Sequence, residues 1–321
     1  MNETAINETV INETGTKKPE AKEIAIKVLF TILFTVEMAA LLFAGGFVGQ
    51  FVGLFFSKVM PESDFSYTFI MYICTLGAWI VMMLYLVIFK KNRPMLAAVG
   101  TKANGNKIKY TLLGILFGFG MNMSCAIVAF ANKDIHITFD RFNPILVLML
   151  LAAVYIQSSS EELLCRAIFY QRLKKLYNSP MVAVIANAIL FASLHLMNPG
   201  ITVLAYLNIA LVGILFSLVV YYFDSLWMAF GIHAGWNFTQ SILLGLPNSG
   251  LCVPYSVFKL DTANARDSFA YSVGFGLEGT ITACVLTVAC CVMVVLIAKK
   301  RREKMAAAQN VVAPAAAPAE A

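Results

Sequence analysis

Residues 201–222 read ITVLAYLNIALVGILFSLVVYY, an apolar run without a single charged side chain. A bilayer hydrocarbon core of ~30 Å is crossed by about 20 residues of helix, so this run is long enough to span it. It is not alone. Comparable runs lie at 24–56, 66–89, 108–131, 142–157 continuing to 175, 180–197, 226–245 and 271–298. The 321-residue chain is 60% hydrophobic and 13% charged, with a mean hydropathy of +0.76. Soluble domains carry about 45–50% apolar and about 25% charged residues. The surplus has to face lipid. The sequence therefore predicts an all-α, polytopic transmembrane bundle of about eight spans, in which the bilayer itself is the main partner.

Orientation follows from the loops. Lys90, Lys91, Arg93, Lys102, Lys107 and Lys109 crowd the loop 90–109. Arg172, Lys174 and Lys175 follow the fourth run, and Lys299, Lys300, Arg301, Arg302 and Lys304 follow the last. The alternate loops are poorer: 57–65 has Lys58, 132–141 has Lys133 and Arg141, and in 246–270 Lys259 and Arg266 are offset by Asp261 and Asp267. Basic loops stay cytoplasmic. Eight spans with both termini in the cytoplasm satisfy this alternation, as expected of a multi-pass protein of a bacterial plasma membrane. The net charge of +6 sits beside apolar segments and not on a soluble face, which excludes a nucleic-acid partner. The expected division is a polar tail at 1–23, three spans within 24–139, a core at 140–245, an outer loop at 246–270, a last span with its basic stop at 271–305, and a disordered Ala/Pro tail at 306–321.

Smaller signals fit packing. Gly45, Gly49 and Gly53 recur every fourth residue in the first run, a spacing that lets helix backbones approach closely. The seven cysteines show no metal-ligand spacing and mostly lie within apolar segments, as small packing residues do. The triplets at Asn2, Asn7 and Asn12 are formally glycosylation sequons, on a tail that the topology keeps in the cytoplasm.

Ionisable groups inside spans are costly and suspect as functional. Three clusters qualify. In Ser158-Ser159-Ser160-Glu161-Glu162-Leu163-Leu164-Cys165-Arg166, Glu162 and Arg166 are four apart and share a helix face in the favourable order. Glu161 points ~100° away from that face and is free to act as a base; the alternative is an interfacial charged turn. His195 ends the run Phe191-Ala192-Ser193-Leu194-His195, where it is either a packing residue or a catalyst. His233 and Asn237, also four apart, project from one face, and Gly231 and Gly235 are read on the same stripe, opening a close contact beside them. Interhelical hydrogen bonding is the alternative there. At ~1.5 Å per residue, Glu161, His195 and His233 lie at ~20, ~24 and ~14 Å from the cytoplasmic ends of their helices. Tilt, or a break around Ser158–Ser160, has to close that spread.

Glu161-Glu162-x-x-x-Arg166, Phe191-x-x-x-His195 and His233-x-x-x-Asn237, in this order on successive spans, resemble the CAAX-protease and bacteriocin-processing (CPBP, or ABI) family, the group of the type II CAAX prenyl endopeptidase. The resemblance covers roughly residues 140–245, and Ser225 to Phe238 is especially close to bacterial members. Where the family commonly has an aromatic before the motif arginine and a glycine after it, this chain has Cys165 and Ala167. The resemblance implies an intramembrane, glutamate-dependent endopeptidase. In it Glu161 and His195 hold and deprotonate a water, His233 and Asn237 form an oxyanion site, and Glu162 and Arg166 brace them. It implies a membrane-associated peptide as substrate, lipidated in the eukaryotic relatives. No cofactor is favoured. Zinc is the alternative, held by Glu161, His195 and His233, but a His-Glu-x-x-His helix is missing and such use of His233 would leave Asn237 without its partner. Two other functions stay open: a non-catalytic scaffold or bacteriocin self-immunity protein, and a proton-coupled transporter using Glu161, for which the halves show no inverted repeat.

Overall fold

The computed structural model describes residues 21–312, with side chains to residue 305. The sequons at 2–14, and the part of the Ala/Pro tail beyond Val312, lie outside the described residues. The first apolar run forms one unbroken rod, α1 (Ala21–Val59), of 39 residues, ~58 Å long at helical rise. The second is broken into α2 (Asp64–Ile73) and α3 (Leu76–Ile88) at Cys74–Thr75. The glycine stripe of α1 meets this break. A Cβ on Gly49 would stand 2.5 Å from the Cys74 carbonyl oxygen, and one on Gly77 would stand 2.2 Å from the Gly49 nitrogen. Both are below any real contact, so only glycine allows this crossing.

The basic loop holds a 3-10 turn at Lys90–Met95 and the short α4 (Leu96–Val99), then leads into α5 (Ile108–Ala131) and β1 (Ile137–Phe139). Asn143 caps α6 (Pro144–Glu162) by accepting from the Ile145 and Leu146 amides, with Pro144 at the first turn, where its missing N–H costs nothing. The rod then widens into a π turn at Leu163–Phe169 and resumes as α7 (Tyr170–Leu176). No break occurs at Ser158–Ser160; the irregularity falls just after the carboxylates. α8 (Pro180–Ser193) is only 14 residues long, and α9 (Val203–Phe223) fills the stretch with which the reading began. Ser225 caps α10 (Leu226–Asn237), which ends in a second π turn at Phe238–Leu243. After a long loop carrying β2 (Phe258–Leu260), α11 (Ile281–Val312) closes the chain.

Six of these rods are long and apolar enough to cross a membrane: Ala21–Val59, Asp64–Ile88, Ile108–Ala131, Pro144–Leu176, Val203–Phe223 and Ile281–Met305. The other two, α8 and α10 with its π turn, are shorter; α10 is buried on nearly every side, whereas α8 keeps an outer face at Ile185 and Ile189. The protein is an all-α, polytopic membrane bundle. Two expected boundaries shift. The last span starts at Ile281, not 271, because residues 271–280 turn back to bury Glu278, which accepts from Trp236 Nε1 at 3.2 Å and Gln240 Nε2 at 2.5 Å. At the other end α11 continues through 306–312, where a disordered tail is expected from the composition.

Each end of the bundle is fastened by charge. On the basic side, Arg172 of α7 binds Glu37 of α1 and the Tyr85 hydroxyl of α3, and donates to Asn92 Oδ1 at 3.1 Å. On the opposite side β1 and β2 pair antiparallel, Ile137 opposite Leu260. There Asp134 accepts from Arg266 at 3.0 Å and Ser268 at 2.5 Å. Burial pushes the Asp134 carboxyl up, but the hydrogen bonds from Ser268, Asn132 and Arg266 outweigh it and hold it below the usual carboxylate range.

Candidate active site

The site is built on α10, which is wedged between α5 and α6. On one side Gly231 and Gly235 let α10 touch the α5 backbone: a Cβ at these positions would stand 2.3 Å from the Thr111 oxygen and 2.2 Å from the Ile115 oxygen. Gly114 and Gly118 of α5 answer from the other helix, 2.5 Å from the Met228 oxygen and 2.0 Å from the Ile232 oxygen on the same reckoning. Two residues along a helix is a turn of ~200°. His233 and Asn237 therefore face away from these glycines, toward α6. This corrects the sequence reading, which put all four residues on one stripe.

At the end of α6 the two adjacent carboxylates part company as their spacing requires. Glu162 and Arg166 are both fully buried and pair at 2.9 Å. Arg166 also donates to the Gly213 carbonyl at 3.0 Å and lies over the rings of Phe191 and Phe216, at 4.4 and 5.2 Å from their centroids. The same Glu162 oxygen lies 3.0 Å from His233 Nδ1. Glu162 is thus more than a counter-ion to Arg166: it orients the imidazole, a link that spacing along one helix could not reveal. Phe216 stacks on the His233 ring at 5.3 Å and Phe191 meets it edge-on at 5.9 Å.

Glu161 faces the cavity. Its Oε1 accepts from Gln157 Nε2 at 2.5 Å, one turn back on α6. Its Oε2 is buried, has no hydrogen-bond partner in the protein, and lies 3.9 Å from His233 Nε2. That gap is too long for a direct hydrogen bond. Gln157, missed in the sequence reading, and Ser158, quoted there without a role, also hold Asn237, whose Nδ2 donates to Gln157 Oε1 at 3.1 Å and Ser158 Oγ at 3.2 Å. Gln157 could have been found from the sequence: it ends an apolar run four residues before Glu161, on the same helix face.

His195 lies in the turn after α8, since that helix stops at Ser193. Its Nδ1 is 2.9 Å from the Phe191 carbonyl oxygen. A carbonyl only accepts, so Nδ1 carries the proton and Nε2 presents its lone pair. A cavity of about 390 Å³ brings Glu161, His195, His233 and Asn237 together. Its rim is supplied by residues that carried no sequence signal: Asn198, Asn248, Ser249 and Leu251. Despite the depth spread expected from the sequence, Glu161, His195 and His233 line one cavity, with His195 in the turn that follows the short α8.

Among the described residues, no three His, Cys, Asp or Glu side chains are grouped so as to hold a metal ion. Glu161, His195 and His233 share a cavity without forming a ligand set, and one His233 nitrogen is already taken by Glu162. The donor arrangement does not fit the zinc alternative.

Residues 143–239, from the cap of α6 to just past Asn237, match the family model described as Type II CAAX prenyl endopeptidase Rce1-like. The matched segment includes Glu161, Glu162, Arg166, His195, His233 and Asn237. No curated protein and no solved structure matches the chain.

Proposed function

We propose that this chain, an integral membrane protein carrying a Rce1-like protease segment, is a glutamate-dependent endopeptidase that hydrolyses a membrane-associated peptide. The observation that carries the reading is the free Glu161 Oε2, buried, unpartnered and 3.9 Å from His233 Nε2. A buried polar atom without a partner is costly unless something else supplies the bond. One water at ~2.8 Å hydrogen-bond distance from both atoms fits this gap.

In this mechanism Glu161 takes a proton from the water, which His195 Nε2 helps to hold, and the water oxygen attacks the scissile carbonyl carbon. The carbonyl oxygen becomes an oxyanion. His233, whose Nδ1–H donates to the Glu162 carboxylate, acts as the imidazolium and donates its Nε2–H to the oxyanion. Asn237 joins once the substrate displaces one of its bonds to Gln157 or Ser158. The intermediate then collapses, the C–N bond breaks, and Glu161 returns the proton to the leaving amine. General-base help of this kind is worth about 10²–10⁴ in rate, and each oxyanion donor about 10²–10³. Glu162 and Arg166 touch neither water nor substrate; they position His233. The catalytic unit corresponds to residues 140–245. Both termini lie in the cytoplasm, in a bacterial plasma membrane, and the substrate is lipidated only where the cell supplies such a peptide.

The test is cleavage by purified protein in detergent, read by mass spectrometry of peptides released from the cell's own membrane fraction. Glu161→Gln should lower the rate at least 10²-fold with an unchanged melting curve. A variant that cleaves at the parent rate refutes the mechanism. A cellular phenotype that survives Glu161→Gln and His195→Ala, with no cleavage by the parent, would instead favour a scaffold or immunity protein.

A further inference from the structure

The cavity and the basic charge lie at opposite ends of the molecule. The Lys and Arg residues of 90–109, 172–175 and 299–304 mark one end, and no residue of those stretches lines the cavity. Between Glu161 and that end the rod continues through Leu163, Leu164 and Arg166, all fully buried. Its rim comes from the other end: Asn198 in the α8–α9 turn, and Asn248, Ser249 and Leu251 in the loop before α11.

That rim is built. Asn198 Nδ2 donates to the Ser249 carbonyl at 3.0 Å, Asn248 Nδ2 to Ser241 Oγ at 3.1 Å, and Gln240 Nε2 to the Pro247 carbonyl at 2.6 Å. Gly250 (φ +81°) sits where a Cβ would be 1.9 Å from the Pro199 oxygen, which locks loop to turn. The loops at this end carry Lys58, Lys133, Arg141, Lys259 and Arg266 against Glu62, Asp64, Asp134, Asp140, Asp261 and Asp267, and so have no basic excess. A basic excess marks the cytoplasmic side, and its absence marks the other.

We infer that the cavity opens on the extracytoplasmic side and that its substrate is a peptide presented at the outer leaflet or beyond it. The inference rests on the peptidase reading for the word substrate, and on charge and geometry alone for the side. A cytoplasmic chain end would have to pass these buried residues to reach Glu161.

The protein carries its own probe, because Cys252 is exposed and is adjacent to Leu251 on the rim. A membrane-impermeant maleimide added to intact cells expressing the full chain should label Cys252 without permeabilisation, and Cys252→Ser should abolish the label. Lys102→Cys in the Cys252→Ser background should be labelled only after permeabilisation. In a second arm, an impermeant peptide cleaved by detergent-solubilised enzyme is offered to right-side-out and to inverted sealed vesicles, with at least tenfold faster cleavage expected from the former. Cys252 labelled only in permeabilised cells, or cleavage confined to inverted vesicles, overturns the sidedness and leaves the peptidase reading standing. No cleavage in detergent overturns the peptidase reading, and the maleimide result still decides which way the cavity faces.

Discussion

Gly118→Ala is the substitution through which backbone packing should reach the chemistry. The added Cβ would sit 2.0 Å from the Ile232 carbonyl oxygen and 2.8 Å from the Trp236 nitrogen, where ordinary contact begins at 3.4 Å. Both obstacles are backbone, so no side chain can swing aside; α5 and α10 must separate by about 1.4 Å, taking the shortfall at Ile232. Overpacking of this kind costs about 1–3 kcal/mol. His233 and Asn237 stand on the far side of α10, and a displacement near 1 Å at a reacting centre can cost ~10²-fold in rate. Gly118→Ala should therefore unfold earlier in an SDS titration in mixed micelles and lose about 10- to 100-fold in cleavage. Gly120→Ala is the control, because nothing lies within 4 Å of a Cβ there. It should be neutral, or gain up to about 1 kcal/mol from helix propensity. If the two alanine variants behave alike, the crossing is not what holds the site.

Arg166→Met leaves the buried Glu162 without its guanidinium and with His233 Nδ1 alone against it, and breaking such a pair typically costs about 3–5 kcal/mol; pairing it with Glu162→Gln should recover much of that stability in the same titration while cleavage stays low, since His233 loses its ionised anchor. Asp134 has a depressed folded value, so its contribution is complete above the unfolded value of about 3.9 and is lost as pH falls through the lower, folded value. Hydrogen exchange of residues 258–268 should accordingly be flat from pH 7 to about 4, after correction for the intrinsic exchange rate, and rise below it; Asp134→Ala should show the rise already at pH 7, and an unchanged profile would count against the clamp. A zinc chelator should leave cleavage by purified enzyme unaffected, and loss of activity restored by zinc alone would establish a metal enzyme.

Much of this architecture was legible because hydropathy is a property of single residues summed over a window. Each apolar run became helical over most of its length, and the clusters at Glu161, His195 and His233 stood out since a polar atom in hydrocarbon needs a reason. Spacing within one helix also gave the Glu162–Arg166 pair correctly. What it could not give was anything that depends on a second helix. The bond from Glu162 to His233 joins α6 to α10, and Gly114 and Gly118 become meaningful only against Gly231 and Gly235. The misplaced stripe was an error of angle, for positions offset by two point to opposite sides. The rim at Asn198, Asn248 and Ser249 was invisible for a different reason: loop residues with neutral side chains carry no periodicity, and their place depends on where the loop lands.

The π turn at Leu163–Phe169 has a consequence for how this rod can vary. It separates the carboxylates at Glu161 and Glu162 from Arg172, which grips Glu37 and Tyr85 on α1 and α3. Such a turn holds one residue more than ordinary winding needs. Deleting one residue of Ala167–Phe169 should therefore let the rod rewind as plain α-helix with Arg172 still at Glu37 and Tyr85, whereas deleting Tyr170 or Gln171, in regular helix, should turn Arg172 by ~100° and uncouple the anchor. The spare residue is slack between the carboxylates and the anchor: a one-residue loss should be tolerated within the turn after Arg166 and not beyond it.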